Sequence, residues 1–239
     1  MEKISLPVTI SNPEFPEADG DDFGAYVAMP PSGSGPGIIL LHEIFGVTGW
    51  IKDTADLFAA QGYCVAAPEM FWRLERNFAG DFWVPEQRQK GFEFRGQVDH
   101  DKAISDIAAT IAYLKSLPEC NGRIGVTGFC TGGTMTYLSA ARLEVDAVVA
   151  YYGTQIHEFL EEGQNISCPT ILHAGTSDEH VSLEVLGDIK AALEPNPNIT
   201  IHEYDAGHAF ANTERDTHFV AGATEAAHAR TFEMFNGLK

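Results

Sequence analysis

Six short apolar runs, nearly continuous rather than alternating, recur along the chain: 37–44 (GIILLHEI), 62–69 (GYCVAAPE), 123–130 (RIGVTGFC), 146–153 (DAVVAYYG), 169–176 (PTILHAGT) and 198–205 (NITIHEYD). Runs of this length, rich in β-branched residues, suit strands covered on both faces, the condition of a parallel sheet. Helical patterns fill the gaps at 50–61, 101–116, 131–141, 183–193 and 221–235. In the second, Ile104, Ile107, Ala108, Ile111 and Leu114 fall three and four apart on one face. Strand and helix in alternation predict an α/β fold: a mostly parallel, doubly wound sheet with helices on both faces and right-handed crossovers. Two earlier stretches, 7–10 and 25–29, read as an N-terminal hairpin. No repeat or low-complexity linker interrupts the pattern, so one domain is expected over 1–239. Two segments break the alternation, an aromatic, arginine-bearing one at 71–94 and a polar, acidic one at 155–167. Long insertions in such folds are more often functional loops or lids than linkers, and 71–94 is the expected lid.

Composition narrows the partners. With 34 acidic against 15 basic residues the formal charge is −19, which argues against nucleic acid or an anionic membrane, since phosphates need clustered cations. A hydrophobic content of 44% is enough for a buried core. No apolar run approaches the roughly 20 residues of a membrane helix. The first 22 residues lack the apolar stretch of a signal peptide. Four scattered cysteines (Cys64, Cys120, Cys130, Cys168) form no C-x-x-C pair, which disfavours zinc and dithiol redox chemistry and suits free thiols in a reducing cytoplasm. The sequons at Asn165 and Asn198 are then chance matches.

The most informative local feature is RIGVTGFCTGG, residues 123–133. A strand runs into Gly128-Phe129-Cys130-Thr131-Gly132 and a helix follows, the pattern G-x-nucleophile-x-G with cysteine where serine usually stands. Small neighbours permit the tight turn, and the helix N-terminus aims N–H groups at developing negative charge. The Thr131 N–H is one candidate oxyanion donor. Taken alone, the motif equally describes a buried structural cysteine among glycines that allow close packing. A phosphate loop fails, because the required lysine is missing.

A nucleophile here calls for an acid and then a histidine after later strands. Asp178 (GTSDEHV) and His208 (DAGHAF) stand in that order at the carboxyl ends of expected strands, where sites of open α/β sheets form. Either alone is more often a turn or surface residue; the ordered set of three is an unlikely coincidence. Glu179, His180 and Asp205 compete less well for these roles.

With GFCTGG, GTSDEHV, DAGHAF and HEIFGV (42–47) in order, the chain resembles the dienelactone hydrolase family, a cysteine-nucleophile branch of the α/β-hydrolases, from about residue 37 onward. The resemblance implies an α/β-hydrolase fold and a Cys130–His208–Asp178 triad. It implies that Glu43 controls the resting thiol and that the Ile44 N–H is the second oxyanion donor beside Thr131. It places Arg88 and Phe92 against a substrate carboxylate, Phe92 standing where a tyrosine is common. No cofactor and no metal are implied; HEIFG also lacks the second histidine of H-E-x-x-H. Two positions depart from the pattern: Asn212 replaces a second substrate-binding arginine, and Ala209 replaces a hydroxyl residue. Arg73 or Arg76 could compensate, or both could be solvated surface charges.

The expected reaction is hydrolysis of a small lactone or carboxylic ester through an acyl-cysteine. The alternatives are a general carboxylesterase or thioesterase and, as a different class, a non-catalytic ligand-binding homologue. Expected partners are a small-molecule substrate and, for self-association, a monomer or small homo-oligomer. Five of the fifteen cations, Arg73, Arg76, Arg88, Lys90 and Arg95, crowd one short region. An anionic substrate would meet an overall repulsive field, so its recognition has to rest on that region.

Overall fold

A computed structural model describes residues 5–18 and 20–239 as two compact units, Met1–Ile124 and Gly125–Lys239, the division falling within one strand. In the first unit β1 (Ser5–Ser11), β2 (Asp22–Ala28), β4 (Cys64–Pro68) and β3 (Gly35–Leu41) lie side by side in that order. β1–β2 and β2–β4 are antiparallel; β3–β4 is parallel, with Gly37 opposite Cys64. The expected hairpin is therefore present, joined by a long connection. β3 and β4 are apolar along their length because α1 (Gly49–Ala60) and α3 (His100–Ser116) pack on these strands.

The N-terminus of α3 is fixed by Asp99, whose carboxylate accepts from the Asp101 and Lys102 amides at 3.1 and 3.2 Å. Its buried face holds Ile104, Ile107, Ile111 and Leu114 as expected, but also Ser105, Asp106 and Thr110, while Ala108 is half-exposed. The expected lid is not all loop: α2 spans Pro85–Arg95, with proline at its start, where the missing N–H costs nothing.

In the second unit β5 (Cys120–Phe129, from Gly125 on), β6 (Ala147–Tyr151), β7 (Thr170–Gly175) and β8 (Ile199–Tyr204) run in order, and all three pairings are parallel. α4 (Thr131–Arg142) and α6 (Ala221–Asn236) pack against β6, and α5 (Leu183–Leu193) lies against a 3₁₀ segment at Ile156–Asn165. That segment occupies the expected acidic insertion. Among the described residues no helix is long and apolar enough to cross a membrane.

Candidate active site

Backbone strain marks where the second unit is built for chemistry. Four non-glycine residues are described at positive φ, and three follow strand ends here: Cys130 (58°) after β5, Tyr152 (39°) after β6 and Ala209 (59°) beyond β8. Such conformations cost on the order of 1–3 kcal/mol each and persist only where the surroundings over-determine them. Cys130 shows how. Its N–H donates to the Tyr151 carbonyl at 3.0 Å and its carbonyl accepts from Thr134 at 3.1 Å, so the strand has already turned into α4. The turn can close because of Gly133: a Cβ there would lie 2.5 Å from the Tyr151 carbonyl oxygen and 3.0 Å from the Gly153 Cα. Thr131 opens α4, where first-turn N–H groups have no acceptor within the helix.

Asp178 follows β7 and His208 follows β8. His208 Nδ1 donates to Asp178 Oδ2 at 2.9 Å, and both side chains are almost fully buried. The second Asp178 oxygen accepts the His180 amide at 2.7 Å. The carboxylate thus fixes the ring with its proton on Nδ1. Nε2 makes no well-formed hydrogen bond. Burial works against the imidazolium, but electrostatic attraction toward Cys130 and the bond to Asp178 outweigh it and raise the His208 pKa to about 10. His208 and Asp178 are therefore brought together by a hydrogen bond, and Cys130 lies within electrostatic reach of the ring. The imidazole is walled by Tyr152 and His180, at 5.0 and 4.6 Å between ring centroids. His180 is thus a neighbour of the ring rather than a substitute for it.

In the first unit Glu43 and Ile44 follow β3 and are buried. α2 rests on this loop at Gly91, where a Cβ would come within 2.6 Å of the Ile44 carbonyl oxygen. Arg88 and Phe92 lie four apart on α2, on either side of Gly91. The Arg88 guanidinium sits over the Phe82 ring at 5.3 Å, and Phe82 stands edge-on to Phe45 at 6.1 Å.

Arg73 is not a free cation, whereas Arg76 is exposed at the surface. Arg73 is bound to Asp106 through both terminal nitrogens and to Glu17 at 2.9 Å. Arg76 donates to the Asp22 carbonyl at 2.6 Å and lies over Trp72. Asn212 is a turn residue, its side-chain oxygen accepting from the Glu214 amide at 2.9 Å. Three residues further on, Arg215 is buried; the sequence reading passed over it, although its place in the loop after His208 was the available signal. Among the described residues no cluster of His, Cys, Asp and Glu could hold a metal.

The strand-to-helix elbow, the later acid and the histidine after it define an α/β-hydrolase, and solved structures bear out that fold. A putative dienelactone hydrolase from Klebsiella pneumoniae superposes with a TM-score of 0.82 at 24% identity, covering 98% of this chain and 99% of that one. Residues 23–238 match the dienelactone hydrolase family. Carboxymethylenebutenolidase 1 of Cupriavidus pinatubonensis is 32% identical over 95% of this chain and 96% of its own length. A carboxymethylenebutenolidase of Pseudomonas putida is 31% identical over 92% and 94%. The chain belongs to the dienelactone hydrolase family and is a hydrolase.

Proposed function

We infer that this hydrolase opens a small lactone, or cleaves a carboxylic ester, with Cys130 as nucleophile. The observation that carries the reading is the buried His208–Asp178 pair coupled to a cysteine on a strained elbow. As substrate binds, the Cys130 thiol gives its proton to His208 and the sulfur adds to the carbonyl carbon, the displaced electron pair becoming an oxyanion held by the N–H groups of Ile44 and Thr131. Collapse breaks the carbon–oxygen bond, the leaving oxygen taking a proton from the His208 imidazolium, to give a thioester. His208 then removes a proton from water, which hydrolyses the thioester, while Asp178 holds the ring. Glu43 disfavours a standing thiolate by like-charge repulsion before substrate arrives, and a thiol so protected resists oxidation. Arg88 and Phe92 receive a substrate carboxylate. In support, no carboxylate among the described residues pairs with Arg88, whereas Arg73 and Lys90 are both paired with glutamates. We place the enzyme in a reducing cytoplasm on its four free thiols.

Cys130→Ala tests the nucleophile. Loss of turnover on a lactone and on chromogenic esters, with an unchanged circular dichroism spectrum, is expected; retained turnover overturns the assignment. The same ester panel set against a carboxylated lactone separates a lactonase from a general esterase.

A further inference from the structure

His42 lies next to the candidate oxyanion loop and had no role in the sequence reading beyond a rejected metal motif. The structure gives it two definite bonds. Its Nε2 lies 3.0 Å from the backbone nitrogen of Met70, and its Nδ1 lies 2.6 Å from the carbonyl oxygen of Glu43. A backbone N–H can only donate, so Nε2 must present its lone pair. The neutral ring therefore carries its proton on Nδ1 and donates to Glu43. Burial holds the imidazole neutral, pushing its pKa down to about 4. The ring is 2% exposed and braced edge-on by Phe71 at 5.0 Å.

The Glu43 carbonyl and the Ile44 N–H are the two ends of one peptide group. No cis bond is described, so in this trans unit the N–H points away from the carbonyl. A strong donor held rigidly against the oxygen therefore fixes the direction of the N–H on the other side. It also polarises the group, which makes the N–H a better donor. A backbone donor to the same carbonyl, the Gly46 N–H, lies at 3.4 Å, a much longer contact. His42 ties this peptide to Met70, just beyond β4, so the ends of two adjacent parallel strands are locked together through one imidazole.

We propose that His42 is a positioning residue: as the neutral Nδ1–H tautomer, bridging the Met70 N–H and the Glu43 carbonyl, it orients and polarises the Glu43–Ile44 peptide so that its N–H serves the oxyanion. The inference rests on the reading of Ile44 as an oxyanion donor. It requires His42 to act on the transition state rather than on substrate binding. Glutamine replaces it, because a primary amide offers one N–H donor and one acceptor at about the spacing of the two ring nitrogens. Leucine does not.

The test uses the full chain. In wild type, ¹⁵N NMR of the His42 ring should show Nδ1 protonated and Nε2 bare; a proton on Nε2 overturns the proposal. His42→Leu should lower kcat about 10- to 100-fold, somewhat less than deleting an oxyanion donor, with KM nearly unchanged. His42→Gln should keep kcat within about threefold of wild type. A rise in KM at unchanged kcat overturns the proposal, as does a folded His42→Gln protein as slow as a folded His42→Leu one. If His42→Leu does not fold, the ring tautomer and the kcat of His42→Gln decide. A trifluoromethyl ketone, to whose carbonyl the Cys130 sulfur adds to leave an oxyanion, separates the two readings. An Ile44 amide proton that does not shift in the wild-type adduct removes Ile44 as donor, whatever His42 does. An equal shift in wild type and His42→Leu, with kcat retained, removes the role of His42 and leaves Ile44 in place.

Discussion

Asp106 on α3 and Asp178 after β7 are both carboxylates with almost no exposed surface, one in each compact unit, yet their bonds are filled differently. Asp106 accepts from Asn12 at 2.6 Å, from the Trp72 indole at 2.8 Å and from both terminal nitrogens of Arg73, so both oxygens are filled by structural donors. Asp178 spends one oxygen on the His180 amide and the other on His208, a titratable ring whose second nitrogen has no hydrogen-bond partner among the described residues. The first carboxylate is a strut that ties the N-terminal segment and the start of the 71–84 stretch to α3. The second passes its hydrogen bond on to a group that can exchange a proton. Burial of a charge does not by itself mark a site; what matters is whether its partners close the network or lead out of it.

The contrast breaks if the two acids respond alike to the same change. Asp178→Asn should lower kcat/KM by about 10⁴, the loss expected when the ring tautomer is no longer held, with the fold retained by circular dichroism. Asp106→Asn should do the reverse. Arg73 keeps Glu17, but breaking the ion pair of the buried Asp106 and facing the donors of Asn12, Trp72 and Arg73 with an amide should cost about 3–5 kcal/mol in denaturant unfolding, while the folded fraction turns over near the wild-type rate. A stable but inactive Asp106→Asn protein would bring that network into the catalytic machinery.

A smaller effect concerns histidines that, unlike His208, are held neutral. Burial lowers His228 in the second unit to about 4, and His42 in the first likewise. Unfolding lets each ring take up a proton between about pH 6.5 and about 4. Stability present above pH 6.5 is therefore lost as the pH falls, by up to about 3 kcal/mol per ring. His228→Phe should flatten the fall in Tm between pH 7 and pH 4.5. An unchanged slope would show that His228 does not contribute.

The smallest effect falls on α2. Arg88→Ala should raise KM about tenfold for a carboxylated lactone, the scale of one partly exposed charge-assisted contact, and leave its neutral methyl ester unaffected. Equal losses for both would mean that Arg88 does not read the carboxylate.

Much of the fold was legible because it rests on local periodicity. The six apolar runs lie at β3 to β8, and α1, α3, α4, α5 and α6 fall within a few residues of the expected bounds. α2 was missed because most of it is polar and its buried positions are few, Gly91 and Phe94. The buried side of α3 was misread at Ala108 and Asp106, since a carboxylate belongs inside only when distant residues supply its donors.

The candidate site divides in the same way. The sequence by itself determined the order Cys130, Asp178, His208, and the placing of each at a strand's carboxyl end, because the alternation of runs dictates where strands stop. Tertiary structure alone decided that His208 meets Asp178 and feels Cys130, that Tyr152 and Ala209 are strained, that Arg73 is spent on Asp106 and that His42 carries its proton on Nδ1. These depend on hydrogen bonds and packing between residues far apart in the chain or on backbone angles imposed by such packing, and a pattern of neighbours carries no record of either.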